Sequence, residues 1–245
     1  MLIYFDISRD TLSSLSLASL VEPVSEMLRA HRMGNHLVVI PRESGQWLLE
    51  NLPLGHLERS ILERLKDEYA QSGNLHHTAS IYLRVCHNPN ATLRLNGREV
   101  AADISLLSNG HILDRAVLIV EDTASDGAFY SKILRSLAAA IGNLNLSFEI
   151  AHGGGDAILN VLKDKIEDKR VGAIIMDSDR KSPADPLPKK YQTANRLVTA
   201  EWPVLLVRCL KCHEIENLIP LYIINELSCA YDKRAEVSAL ERIQE

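Results

Sequence analysis

The chain has 245 residues, 46% of them apolar and 24% charged, with a formal net charge of -5. That length supports one large or two ordinary cores, and the negative balance excludes broad electrostatic wrapping of nucleic acid, which draws its affinity from lysine and arginine displacing counterions. Aromatic residues, at 5%, offer no visible stacking platform for single strands, and no apolar run reaches the roughly 20 residues of a membrane span.

The opening, MLIYFDISRD, has no basic leader and no small-residue cleavage site, and reads as cytosolic. LIYFDI (2–7) and HLVVIP (36–41) are predicted as short buried strands. Leu57, Ile61, Leu62, Leu65 and Tyr69 recur at helical spacing and predict an amphipathic helix packed by that face. Asn90-Ala91-Thr92 matches a glycosylation acceptor that a cytosolic chain does not present to the enzyme. In TLRLNGREVA (92–101), Asn96-Gly97 between two alternating segments is the two-residue hairpin signal. Residues 1–112 are therefore expected to form a mixed α/β domain, a scaffold or a partner-docking unit, with a domain boundary at 112.

From residue 113 to 245 strands alternate with helices. RAVLIV (115–120), LSFEIA (146–151), VGAIIM (171–176) and PVLLVRC (203–209) read as strands of a parallel sheet covered on both faces. Phe129, Ile133, Leu134, Leu137 and Ile141 mark the core-facing stripe of one helix, and Ile158, Leu159, Leu162 and Ile166 that of the next. The fold class is α/β, with flanking helices around the parallel sheet of the second domain.

Ligands of such sheets gather beyond the carboxyl ends of the strands, and that is where the acids stand. Glu121 and Asp122 follow the first strand, Asp177 and Asp179 the third, Glu214 and Glu216 the fourth. On an extended chain Asp177 and Asp179 point the same way while Ser178 points elsewhere. Clustered carboxylates repel unless a cation holds them, and an all-oxygen set suits Mg2+ or Mn2+. Gly153-Gly154-Gly155 after the second strand demands a tight turn or a close approach. Cys209-x-x-Cys212-His213 spells a haem or half-zinc motif, but a cytosolic chain with only Cys86 and Cys229 besides offers neither export nor a second ligand pair. The match reads as coincidental, with Cys209 a small buried side chain closing its strand.

The stretches LIVEDTASDGAFYSKIL, FEIAHGGGDAILNVL, AIIMDSDR and HEIENLIP, in this order, resemble the Toprim domain of topoisomerases, DnaG-type primases and overcoming-lysogenization-defect nucleases, and most of all the small Toprim-like proteins of prokaryotic antiphage systems. The resemblance covers about residues 113–230. It implies that Glu121, Asp177, Asp179 and Glu216 hold Mg2+ or Mn2+ and that the chain is a metal-dependent nuclease acting on DNA or RNA, an antiphage effector. It further implies a regulatory protein partner, an ATPase being the candidate class, and a homo-oligomer. Asp122 stands where the family has glycine, and the helix-starting acid Asp126 lies one residue late. VLIVED followed by AIIMD also resembles a response-regulator receiver, in which Asp177 accepts phosphate; Cys209 then stands where a hydroxyl is required, and Lys233 is the available lysine. A signalling module of this kind, or a degenerate Toprim sensor, is the alternative.

In the nuclease reading, Arg180 and Lys181 neutralise charge that builds on the phosphorane. The segment 180–196, read as a loop with five basic residues against one acid, offers a phosphate-binding strip that includes Lys189, Lys190 and Arg196.

Overall fold

The computed structural model describes residues 1–89, 93–108, 111–142, 146–182, 184–213, 215–220 and 223, with the side chains of Ile141, Asp156, Glu216 and Asn217 outside the description. The first half runs β1 (Leu2–Phe5), α1 (Arg9–Ser14), α2 (Leu17–Arg32), β2 (Leu37–Val39), α3 (Arg42–Asn51), α4 (His56–Ser72), α5 (Leu75–Thr78), β3 (Tyr82–Cys86), β4 (Leu95–Asn96) and β5 (Glu99–Asp103). Its sheet has the order β2-β1-β3-β5-β4 and is parallel except for the β4–β5 hairpin. Ser8 and Ser16 cap α1 and α2 by accepting the amides of Thr11 and Ser19, so the helices start where hydroxyls meet orphan N–H groups. Strand alternation then sorts the faces. Ile3, Phe5, Leu83, Val85, Val100 and Ala102 are buried, whereas Tyr4, Tyr82, Arg84 and Glu99 stand on the other face. There Arg84 bridges Asp6 at 3.0 Å and Glu99 at 2.6 Å.

Two local expectations shift. Leu62 and Leu65 of α4 are buried as predicted, but Leu57 is 65% exposed, because it sits in the first turn beyond the edge of the packed face. In the hairpin Asn96 is still paired, with Glu99, so the two turn residues are Gly97 and Arg98, and Gly97 carries the positive φ of 63°.

The second half contains β6 (Ala116–Val120), α6 (Asp126–Gly142), β7 (Phe148–His152), α7 (Ile158–Glu167), β8 (Gly172–Met176), α8 (Lys189–Glu201) and β9 (Leu205–Cys209). The order β7-β6-β8-β9 is parallel throughout. β6 is apolar on both faces because both are covered: Val117, Leu118, Ile119 and Val120 are all buried. Ile158, Leu162 and Ile166 of α7 and Ala194 and Val198 of α8 join the core with Val117, Ile119, Ile174 and Val207. The stripe read for α6 is rotated. Gly127 and Ala138 face inward, while Ile133 and Leu137 are 39% and 53% exposed; the small residues let the helix lie close to the sheet, and Ile141 lies outside the described side chains.

The connector at 112–113 is itself buried, with Ile112 at 0% exposure. His36 Nε2 donates to the Ile112 carbonyl at 3.0 Å and Asn35 Nδ2 to that of Leu113 at 3.1 Å. One contiguous apolar core runs through both halves. Among the described residues no helix is long and apolar enough to cross a membrane.

Candidate active site

Glu121 is the first residue past β6, and the glycine turn fixes its backbone. Gly153 N–H donates to the Val120 carbonyl at 2.6 Å and Gly154 N–H to that of Glu121 at 3.1 Å. A Cβ on Gly153 would lie 2.9 Å from the Val120 oxygen and closer still to Ile158, and Gly154 and Gly155 have φ of 59° and 56°. The three glycines thus let one strand end pass hard against the next.

Asp122 is spent on its own turn. Its carboxylate accepts the Ser125 hydroxyl and the Ser125 and Ala124 amides, which hold its pKa below the usual range. Asp126 reaches back to the Asp122 amide at 3.0 Å, a reciprocal cap for α6. Both acids serve the helix entry.

Asp177 is the first residue past β8. Ser178 is 1% exposed and its hydroxyl donates to the Cys212 carbonyl, while the amides of Ser178 and Asp179 both donate to the His213 carbonyl at 3.1 and 3.2 Å. Asp179 adopts φ 51°, so the segment is a left-handed turn and not the extended chain expected. Ser178 does point inward and Asp179 outward, but the turn, not strand alternation, arranges them. The Cys-x-x-Cys-His segment therefore acts through its main chain, as the cradle of the Asp-x-Asp turn. Cys209 is partly buried, its Sγ 3.7 Å from the Asp177 carbonyl. Burial raises its thiol pKa, against the nearby positive charges of Arg180 and Lys190.

The basic strip is only partly a loop. From Lys189 onward it is α8, with Pro188 as a start signal; Lys189 and Arg196 are exposed on the helix and Lys181 on the loop before it. Asp185 folds that loop by accepting the amides of Lys181 and Ser182. The Arg180 guanidinium donates to the carbonyls of Lys211 at 3.1 Å and Asp185 at 3.4 Å, tying the loop to the segment after β9. These two bonds are a structural tether.

Lys190, in the first turn of α8, reaches the acids. Its ammonium lies 2.6 Å from Glu121 Oε1 and 3.4 Å from Asp179 Oδ2. Partial burial works against its charge, but the hydrogen bond and charge of Glu121, then those of Asp179, raise its pKa above the ordinary value. Tyr130, one turn into α6, was not singled out by sequence spacing. Its hydroxyl is buried without a hydrogen-bond partner among the described residues, and burial, then Asp177 and Asp126, push its pKa up to about 12.

Glu214 and the Glu216 side chain lie outside the described residues; the Glu216 backbone sits in a 3-10 turn, Ile215–Leu218, whose Ile215 packs inward at 7% exposure. Among the described residues no three His, Cys, Asp or Glu side chains form a group able to hold a metal. Glu121 and Asp179 nevertheless converge from two neighbouring strands on one positive charge, the Lys190 ammonium, and in charge and donor type they fit a hard cation in its place. Comparison with family models, with curated proteins and with solved structures finds no match to this chain.

Proposed function

We propose that the chain is a Toprim-like, metal-dependent nuclease of antiphage type, with Glu121, Asp177 and Asp179 holding Mg2+ or Mn2+ at the carboxyl edge of the second sheet. The observation that carries this reading is the meeting of Glu121 and Asp179 at one cation, with Asp177 opening the same turn. When bound, the metal supplies Lewis-acid activation of a phosphodiester and of the attacking water. The chain's own contribution is positional. The glycine turn fixes Glu121, the carbonyls of Cys212 and His213 fix the Asp-x-Asp turn, and Arg180 locks the loop that leads to α8. Lys181, Lys189 and Arg196 remain exposed for nucleic-acid phosphates, a local cationic strip on an acidic protein.

The test is incubation of plasmid DNA and total RNA with the protein and Mn2+, comparing wild type, Glu121→Ala and Asp177→Asn. Cleavage by wild type alone, with both variants folded by circular dichroism and the melting of Asp177→Asn without metal unchanged, is the expected result. Cleavage that survives both substitutions, or none by wild type, overturns the reading.

A further inference from the structure

Lys190 is more than a surface ion pair. Its side chain and that of Glu121 are 23% and 21% exposed, and the ammonium bridges acids that follow two different strands. Mg2+ requires carboxylate oxygens at about 2.0–2.1 Å, so an ion seated between Glu121 and Asp179 takes the oxygen edges the ammonium now holds. Two positive charges at that separation repel; water screens them readily at Asp179, which is 60% exposed, and less at Glu121. The lysine can leave without unfolding anything. Its stem is flexible, and α8 is anchored elsewhere by Ala194 and Val198, at 0% and 4% exposure.

Resting on the metal-site reading above, we propose that Lys190 and a divalent cation exclude one another at the Glu121–Asp179 pair, so that the ammonium is a built-in competitor that metal displaces on loading. The helix places this competitor deliberately against local preference, since a lysine in the first turn opposes the helix dipole unless acids face it. Metal affinity in the free protein is thereby held down, and the rim stays charge-balanced while no ion is bound.

The experiment is titration of the full metal-free chain with Mn2+ alone, free ion being read by electron paramagnetic resonance at low salt. Wild type is compared with the neutral variants Lys190→Met and Lys190→Gln and the charge-preserving Lys190→Arg, each checked for folding by circular dichroism. Either neutral variant is expected to bind Mn2+ roughly tenfold more tightly than wild type, the scale of one opposed charge at contact distance, and Lys190→Arg no more tightly. Wild-type binding with no tightening in a folded neutral variant overturns this inference and leaves the metal-site reading standing. Absence of Mn2+ binding in all four proteins overturns both.

Discussion

The hydroxyl of Ser178 donates to the main-chain carbonyl of Cys212, and with the Ser178 and Asp179 amides that donate to the His213 carbonyl it joins the Asp-x-Asp turn to the chain that leaves the neighbouring strand. Ser178→Ala strands that carbonyl beside a buried site, so a loss of about 1–2 kcal/mol in urea denaturation is expected, together with weaker Mn2+ binding. Cys212→Ser, which keeps the main chain, should cost less than Ser178→Ala and release no stoichiometric zinc. The opposite ranking would show that the thiol, not the carbonyl, holds the turn.

Asp179 sits at φ 51°, where a non-glycine residue carries roughly 1 kcal/mol of strain and asparagine less. Asp179→Gly should therefore melt higher than wild type by about 1 kcal/mol, with Asp179→Asn close to wild type and Asp179→Ala lowest. All three lose one of the two acids facing Lys190 and should bind Mn2+ more weakly than wild type. A glycine variant less stable than the alanine variant would mean the side chain, not the backbone, sets stability here.

The strands of the second sheet were legible because burial on both faces leaves an unbroken apolar run, as in Val117 to Val120, and their ends gave Glu121, Asp177 and Asp179. What the sequence hid depends on long-range geometry. No local pattern says that the carbonyls of Cys212 and His213 return to meet Ser178, because main-chain acceptors carry no residue signature. α8 was hidden by the prolines before it and by its own polar residues, which resemble a solvated loop until Ala194 and Val198 are seen to pack. The stripe on α6 was misread because exposed Ile133 and Leu137 outweigh Gly127 and Ala138 in any hydrophobic count, although the small residues are what the sheet accepts. Nothing in the local spacing marks Tyr130.

That tyrosine gives a sharp stability test. Its hydroxyl is buried, neutral at physiological pH and without a partner among the described residues. A desolvated, unsatisfied polar group costs about 1–3 kcal/mol, so Tyr130→Phe should leave stability unchanged or raise it by about 1 kcal/mol in thermal melts. A fall in stability would show that the hydroxyl makes a bond in solution that compensates its burial.

His36 ties the first half of the chain to the connector, and its environment makes the protein acid-sensitive in a defined window. Burial, then the N-terminal ammonium 3.3 Å from Nδ1, lower its pKa to about 3, and Nε2–H donates to Ile112, so the folded protein holds the neutral ring. In the unfolded chain the same ring titrates near 6.5. Above that value both states are neutral and the residue contributes no pH dependence. As pH falls below it, the unfolded chain takes up a proton that the folded one refuses, so stability is lost by about 1.4 kcal/mol per pH unit until the folded ring titrates. His36→Gln retains a donor for the Ile112 carbonyl and cannot titrate. Urea unfolding from about pH 7 down to about pH 4 should therefore show a shallower decline for His36→Gln than for wild type, carboxylate titration being common to both. Parallel declines would mean that water reaches the ring and that it protonates in the folded state.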